Sequence, residues 1–226
     1  LPQADDGVER VVRINSLRET AGLRDIQAIL ASNDPPPFIM VPKVKTPGEI
    51  ILLDELLLEA RKTSRLHVII ETNEGLEAAH EIAQASTRVD ALFFGGIDMA
   101  AELRCRSAWE PLLYARSRVV HAAATAEIDA IDVPYLDLDD MEGLKEEARL
   151  SRDLGFSGKG AIHPKQIPII NEIFTPSQDE ISRAYKVIRA YEAAEGGITV
   201  VDGKLIEKPV IREAQRILSI VERIGK

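Results

Sequence analysis

Short apolar runs alternate with helical patterns along most of this chain, and this alternation constrains the fold more than any other feature of the sequence. Six runs rich in branched and aromatic residues predict strands: residues 8–14, 38–41, 67–70, 91–94, 130–134 and 160–164. They recur at intervals of roughly 30 residues, the length of a strand–helix–strand unit. Because successive parallel strands need such crossover helices, the sequence predicts an α/β fold with a parallel sheet.

The segments between these runs predict the helices. These cover residues 22–31, 46–64, 74–86, 100–126, 139–154, 167–174 and 177–194, with an interruption expected near Pro111. Thr46, Pro47 and Glu49 match an N-terminal capping box, in which two side chains satisfy free backbone N–H groups. Gly155 is expected to end the helix over 139–154, because glycine adopts the left-handed conformation found at many helix ends.

The C-terminal part departs from this rhythm. Two short apolar runs, 198–201 and 204–207, are separated by Asp202-Gly203, a dipeptide typical of tight hairpin turns. A last helix is predicted over 209–224. We therefore expect two domains, a strand–helix domain over residues 1–195 and a C-terminal hairpin and helix over residues 196–226.

The number of predicted strands leaves two architectures open. A closed (β/α)8 barrel needs eight strands and typically about 250 residues, whereas this chain offers six strands before the hairpin and has 226 residues. Either the parallel sheet is open, or two leading βα units are absent from this sequence.

Acidic residues stand where two neighbouring strands are predicted to end. Glu71 follows the run over 67–70, and Asp98 follows the run over 91–94 across the turn Gly95-Gly96-Ile97. The carboxyl ends of parallel strands form the edge at which α/β folds bind their ligands, so the two acids are expected to lie close together. Two carboxylates are hard oxygen ligands that suit Mg²⁺. The sequence therefore predicts a metal site at this edge.

Composition argues against several classes of function. The formal net charge of −9 argues against nucleic acid as the main partner, because phosphate binding requires a basic surface. No apolar run approaches the roughly 20 residues that a membrane-spanning helix needs, so no membrane partner is expected, and no signal peptide is recognised. The single cysteine, Cys105, excludes an intrachain disulfide framework and fits a cytoplasmic protein.

Short motifs are distributed over nearly the whole chain. They are Val11-Val12-Arg13-Ile14-Asn15, Val41-Pro42-Lys43-Val44, Ile69-Ile70-Glu71-Thr72, Phe94-Gly95-Gly96-Ile97-Asp98, Leu113-Tyr114-Ala115-Arg116-Ser117, Gly155-Phe156-Ser157-Gly158-Lys159 with Ala161-Ile162-His163-Pro164, and Phe174-Thr175-Pro176-Ser177. In order and spacing, this set resembles the citrate lyase beta-subunit-like branch of the HpcH/HpaI aldolase family, which includes malyl-CoA and citramalyl-CoA lyases.

The resemblance implies a fold, a reaction and an assembly. Members of the family fold as TIM (β/α)8 barrels, so the six predicted strands would be strands three to eight, followed by the hairpin–helix extension. They use Mg²⁺ to cleave a 3-hydroxy dicarboxylic or tricarboxylic acyl-CoA, of citryl-, malyl- or citramalyl-CoA type. The products are acetyl-CoA, or a homologue, and a 2-oxo acid. The implied partners are these small molecules, and the implied assembly is a homotrimer.

The resemblance also implies roles for individual residues. Glu71 and Asp98 match the Mg²⁺ ligands, and Arg13 matches an arginine that binds the substrate and assists catalysis through a guanidinium suited to a carboxylate or oxyanion. Backbone N–H groups of Gly95, Gly96 and Ile97 would bind a carboxylate. A further pair, Ile162 and His163, matches residues that line the acyl-CoA channel.

The family's acid/base residue is matched with a change. Relatives carry Met-Ile-Asp-x-Pro in the tail hairpin, and its aspartate reaches into the site of a neighbouring subunit, over which the hairpin and helix form a lid. This chain has Leu205-Ile206-Glu207-Lys208-Pro209, so Glu207 would supply the same carboxyl group on a longer stem. The chain also has Ile97 where many relatives have a glutamate beside the metal-binding aspartate.

Two other functions stay open from the sequence. One is a class II pyruvate-type aldolase that acts on a free hydroxy-oxo acid. The other is a beta subunit that is inactive alone and depends on an acyl-carrier partner in a citrate lyase complex.

Overall fold

The computed structural model describes residues 8–194 and 200–224. Six strands form one parallel sheet, and each strand pairs with the one before it in sequence. They are β1 (Val11–Arg13), β2 (Phe38–Val41), β3 (Arg65–Ile70), β4 (Val89–Phe94), β5 (Asp129–Asp132) and β6 (Gly158–Lys159). The predicted α/β class and parallel sheet are confirmed, and the consecutive strand order is that of a (β/α)8 barrel. The two absent βα units stay a prediction.

Ten helices accompany the strands in the described part of the chain. They are α1 (Thr20–Ala31), α2 (Pro47–Glu59), α3 (Asn73–Glu77), α4 (Ala79–Ala83), α5 (Gly96–Leu103), α6 (Trp109–Thr125), α7 (Met141–Leu154), α8 (Ile167–Phe174), α9 (Gln178–Ala193) and α10 (Lys208–Ile224), with a 3-10 turn over Pro164–Gln166. The predicted capping box at Thr46 and Glu49 is present. Gly155 ends α7 with φ 114°, in the left-handed region that favours glycine.

The helix predicted over 100–126 is wrong in its start and in its interruption. A first helix, α5, begins at Gly96, and the break comes at Arg104, which has φ 56°. Pro111 instead lies in the first turn of α6, where its missing N–H has no intrahelical partner to lose. Asp98 consequently lies in the first turn of α5, and not at a strand end.

Two other predicted elements differ in the structure. The helix predicted over 74–86 is divided into α3 and α4 at Ala78. The sixth strand is present but ends earlier than the predicted strand end over 160–164, because pairing stops at β6 and the Gly160 N–H makes a final ladder hydrogen bond to the Asp132 carbonyl at 2.9 Å. Pro164 then begins the 3-10 turn, a position that suits a residue without an N–H.

The alternation of side chains along β3 separates the packed core from the site. Leu66, Val68 and Ile70 are fully buried on one face. Side chains of His67 and Ile69 lie on the opposite face, because successive residues of a strand point to opposite sides. Glu71 continues this second row just beyond the strand end, which places its carboxylate at the carboxyl edge of the sheet.

The chain divides into two compact units, the first ending at Ile170 and the second beginning at Asn171. In the second unit, α9 packs against α10 through a core that includes Ala184, Val187, Ile211 and Ala214. The predicted domain boundary between residues 195 and 196 lies outside the described residues and stays a prediction.

The predicted tail hairpin is confirmed where the structure describes it. Strands β7 (Val200–Val201) and β8 (Lys204–Leu205) pair antiparallel, and the turn residues Asp202 and Gly203 have φ 49° and 73°. Residues 196–199 of the prediction lie outside the described residues. None of the described helices has the length and apolar character needed to cross a bilayer.

Candidate active site

Glu71 and Asp98, the acid pair, lie beside each other at the carboxyl edge of the sheet. Glu71 is 3% exposed, and its Oε1 accepts a hydrogen bond from the backbone N–H of Lys43 at 2.9 Å. Asp98 is half exposed, and its Oδ1 lies 4.0 Å from the Lys43 ammonium nitrogen. The two acids that the sequence predicted as neighbours are therefore brought together, one fixed in the interior and one reaching it from a helix.

The space for Glu71 depends on a glycine. A Cβ atom added to Gly95 would lie 2.6 Å from Glu71 Oε2 and would also collide with the Glu71 stem. Only a residue without a side chain allows the turn after β4 to approach the carboxylate so closely.

Burial and charge both act on Glu71. Burial raises the pKa of its carboxyl group, and the neighbouring negative charge of Asp98 raises it further. The Lys43 N–H, the Arg13 guanidinium and the Lys43 ammonium lower it, but the net direction is upward. A carboxylate so destabilised by burial and by a second acid gains most from a cation between the two.

Two carboxylates are enough to hold Mg²⁺, but too few for a metal ion that takes all its ligands from the protein. Among residues 8–194 and 200–224, no three His, Cys, Asp or Glu side chains come together as metal ligands. Two carboxylates are what Mg²⁺ usually takes from a protein, with water and substrate oxygens completing its six positions. Glu71 and Asp98 would hold the ion.

A cavity of about 490 Å³ adjoins the acid pair. Its wall consists of Ser16, Arg18, Glu19, Lys43, Lys45, Glu71, Thr72, Asp98, Ala101 and Glu102. Sequence reasoning missed the three basic residues. Lys43 carried a usable signal, because it follows β2 much as Glu71 follows β3.

Arg13 is the last residue of β1 and has an exposed side chain. Its charge acts on Glu71, whose pKa it lowers, but it does not line the cavity. Its charge therefore reaches Glu71 from β1, two strands away from β3.

The glycine turn offers fewer free donors than the sequence suggested. The Gly95 N–H donates to the Ile70 carbonyl at 3.0 Å as part of the sheet. Gly96 and Ile97 lie in the first turn of α5, where backbone N–H groups have no partner within the helix. These two N–H groups remain available to an anion.

Ile162 and His163 lie in the loop after β6, with exposed side chains. The Ile162 N–H donates to Gln166 Oε1 at 2.9 Å, and Gln166 Nε2 donates to the Tyr135 carbonyl at 2.8 Å. Gln166 is fully buried, so it ties the loop after β6 to the loop after β5. This connection had no signal in the sequence.

Glu207 belongs to the second unit and is exposed. Its carbonyl accepts the Val210 and Ile211 N–H groups at the start of α10, at 3.0 and 3.3 Å. Its catalytic role stays a prediction.

A buried charge cluster, formed by Arg116, Asp132, Glu147 and Lys159, supports the loop after β5. Arg116 Nε donates to Asp132 Oδ1 at 2.9 Å. Lys159 Nζ donates to Asp132 Oδ2 at 2.8 Å, to Glu147 Oε1 at 2.7 Å and to the Val133 carbonyl at 2.8 Å. Burial opposes ionisation of Asp132, but the charges of Lys159 and Arg116 outweigh it and lower its pKa.

The cluster is connected to the glycine turn through Phe94 and Val133. The Arg116 guanidinium lies over the Phe94 ring, 5.1 Å from its centroid. A Cβ atom on Gly96 would lie 3.0 Å from both the Phe94 ring and the Val133 side chain. The first turn of α5, which carries Asp98, is thus packed against residues that the cluster holds.

Comparison with known proteins identifies the relatives of this chain. The HpcH/HpaI aldolase/citrate lyase family model matches residues 1–164. The citrate lyase subunit beta of Leuconostoc mesenteroides subsp. cremoris is 34% identical over 94% of this chain and 74% of the relative. An L-malyl-CoA/beta-methylmalyl-CoA lyase of Cereibacter sphaeroides is 33% identical over 95% and 76%.

A solved structure is similar over almost the whole chain. The protein CitE of Mycobacterium tuberculosis, in complex with magnesium, acetoacetate and coenzyme A, has a TM-score of 0.75 and 29% identity over 96% of this chain and 78% of the other. The chain belongs to the HpcH/HpaI aldolase/citrate lyase family of carbon–carbon lyases.

Proposed function

We propose that this protein is a Mg²⁺-dependent lyase that cleaves a 3-hydroxy dicarboxylic or tricarboxylic acyl-CoA into acetyl-CoA, or a homologue, and a 2-oxo acid. The observation that carries the proposal is the acid pair: a buried carboxylate held by the Lys43 N–H, with a second carboxylate beside it. Relatives named as citrate lyase beta subunit and malyl-CoA lyase, and a relative solved with magnesium and coenzyme A, support it.

The chemistry breaks one carbon–carbon bond. The substrate hydroxyl gives its proton to a base and becomes the carbonyl of the 2-oxo acid, while the electron pair of the broken bond passes to the acyl-CoA carbon as an enolate, which then takes a proton. When bound, Mg²⁺ supplies positive charge at the oxygen of the oxo-acid half. Arg13 binds the neighbouring carboxylate through its planar fork, and the N–H groups of Gly96 and Ile97 bind negative charge from the other side.

The thioester arm is proposed to run past Ile162 and His163. Their loop is fixed to the loop after β5 by Gln166, whose amide uses both its donor and its acceptor. A channel wall held in this way keeps its shape when a long, flexible ligand enters, so less ordering is needed on binding.

Removal of the metal tests the central claim. We expect purified full-length protein to cleave citryl-, malyl- or citramalyl-CoA in the presence of Mg²⁺, and EDTA to abolish the cleavage. Activity that persists in EDTA would contradict the role of the acid pair. Equal turnover of the free hydroxy acid would favour the pyruvate-type aldolase, and cleavage that appears only with an acyl-carrier protein would favour the dependent beta subunit.

We further propose that Glu207 acts as the acid/base group in the site of a neighbouring copy of a homotrimer. Glu207→Gln removes the titratable group, so we expect turnover to fall by about 10²- to 10⁴-fold, the usual range for a general acid or base. Binding of Mg²⁺, measured by calorimetry, is expected to remain unchanged, because the acid pair is intact.

Mixing two inactive variants tests whether Glu207 works in the neighbouring site. If Glu207→Gln and Glu71→Gln chains reassemble at random after mild dissociation, about a quarter of the sites combine an intact Glu71 with an intact neighbouring Glu207. Activity should recover to about that fraction. A mixture as inactive as its components would show that Glu207 serves its own chain or no site.

A further inference from the structure

The cavity beside the acid pair contains three basic side chains, and two of them have carboxylate partners of their own. Arg18 donates through Nε and Nη2 to Glu49 Oε1 at 3.1 and 2.7 Å. Lys45 Nζ donates to Glu74 Oε1 at 3.0 Å. Both of these cations therefore have a carboxylate within hydrogen-bonding distance.

Lys43 differs from both. Its ammonium nitrogen is 4.0 Å from Asp98 Oδ1, beyond hydrogen-bonding distance, and its side chain is 48% exposed. Its backbone is fixed, because its N–H donates to Glu71 and its φ of 54° lies in a region that residues other than glycine seldom adopt. Lys43 therefore touches both members of the acid pair, rigidly through the main chain and loosely through the side chain.

Binding of a cation changes the electrostatic environment of the Lys43 ammonium. A divalent ion held by Glu71 and Asp98 takes over Asp98, the one carboxylate within 4.0 Å of the Lys43 ammonium among the described residues. The ammonium then faces a second positive charge within a few ångströms, an arrangement that is unfavourable unless an anion lies between them. A 2-oxo acid carries such an anion.

We propose that Lys43 joins Arg13 in binding the carboxylate of the oxo-acid half and strengthens the mutual dependence of Mg²⁺ binding and binding of that anion. Without the anion, the ammonium opposes the metal. With it, the anion is attracted by both positive charges. This inference rests on the proposed function for the metal site, but it concerns binding and does not need the cleavage step.

Calorimetry on the whole protein tests the dependence directly. The affinity for Mg²⁺ is measured with and without pyruvate, the probe for a 2-oxo acid, in the wild type and in Lys43→Met. We expect pyruvate to raise the wild-type affinity for Mg²⁺ by about 10-fold or more, within the usual range for coupled sites. In Lys43→Met we expect this factor to be at least about 3-fold smaller than in the wild type, with tighter binding of Mg²⁺ alone because the opposing charge is gone.

Matched variants separate charge from structure. Methionine keeps an unbranched stem and the backbone N–H that holds Glu71, and Lys43→Arg keeps the charge and should retain most of the coupling. Lys45→Met removes a different ammonium from the same cavity, one that already pairs with Glu74. This variant should leave the coupling within about twofold of wild type. Thermal unfolding of each variant establishes that it is folded.

The outcomes distinguish this inference from the proposed function. Undiminished coupling in folded Lys43→Met, in a protein that cleaves acyl-CoA with Mg²⁺, would overturn the role of Lys43 and leave the lyase intact. Coupling that depends on Lys43, in a protein that cleaves no acyl-CoA, would support Lys43 and overturn the proposed reaction. Equal loss of coupling in Lys43→Met and Lys45→Met would show a general charge effect and overturn the specific role.

Discussion

Replacing Glu71 with Gln is expected to abolish tight Mg²⁺ binding and to reduce acyl-CoA cleavage by roughly 10³-fold, since the charge of a catalytic metal is worth several kcal/mol. Gln is nearly the same size and keeps an oxygen that can accept the Lys43 N–H, so the cavity should retain its shape. Calorimetry with Mg²⁺ and a turnover assay with the best acyl-CoA substrate measure the two effects.

Glu74→Gln is the matched control. Glu74 lies three residues further along the chain and pairs with Lys45 at the surface, so the same chemical change should leave Mg²⁺ binding and turnover within about threefold of wild type. If Glu71→Gln still binds Mg²⁺ as tightly as the control does, the acid pair is not the metal site.

Glu71→Gln is expected to stabilise the folded protein when no metal is present, although it abolishes metal binding. The pKa of Glu71 is raised above its ordinary value of 4.5, so the folded state binds a proton more tightly than the unfolded chain does. Its contribution to the free energy of unfolding therefore decreases as the pH rises from about 4.5 through the folded pKa. In EDTA, Glu71→Gln should be more stable than wild type at neutral pH and lose that advantage below about pH 4.5, as urea unfolding at several pH values will show.

Asp132→Ala is expected to lower the free energy of unfolding by about 3–5 kcal/mol, the usual effect of removing one partner from a buried ion pair. Asp132 has a fully buried side chain that accepts hydrogen bonds from both Arg116 and Lys159. Its loss leaves two buried cations to share Glu147. Urea unfolding measures the change.

Two variants make this prediction specific. Glu77→Gln removes a carboxylate from a surface pair with Arg118, in which Glu77 is 83% exposed, and should cost less than about 1 kcal/mol. Adding Lys159→Met to Asp132→Ala removes one of the stranded charges, so the double variant should lose less than the sum of the two single losses. A strictly additive result would mean that the two side chains do not stabilise each other.

The sequence was most informative where local rules decide the structure. The capping box at Thr46, the stop at Gly155 and the Asp202-Gly203 turn depend on neighbouring residues alone, and each lies where the pattern placed it. The proximity of Glu71 and Asp98 was also predictable, because consecutive parallel strands bring their carboxyl ends to one edge. Pro111 misled the prediction, because a proline disrupts a helix interior and fits a first turn equally well.

The buried charge cluster could not be found in the sequence. Its four members are spread over 116–159 and lie on α6, β5, α7 and β6, and nothing local to any of them indicates a charged partner. Arg116 occurred in a recognised motif but without a role, and Glu147 lies in an acidic stretch of sequence that does not distinguish it from Glu142 and Glu146. Only the packing of four elements shows that Glu147 turns inward to Lys159.

The place where Gly95 meets Glu71 limits how such a site can change over time. The Glu71 side chain occupies the space that a side chain at position 95 would need. A larger residue at position 95 therefore requires a shorter or displaced acid at position 71. The two positions are therefore tied as a pair, and new specificity is more readily acquired on the exposed wall formed by Ala101 and Glu102, where substitutions leave the metal ligands in place.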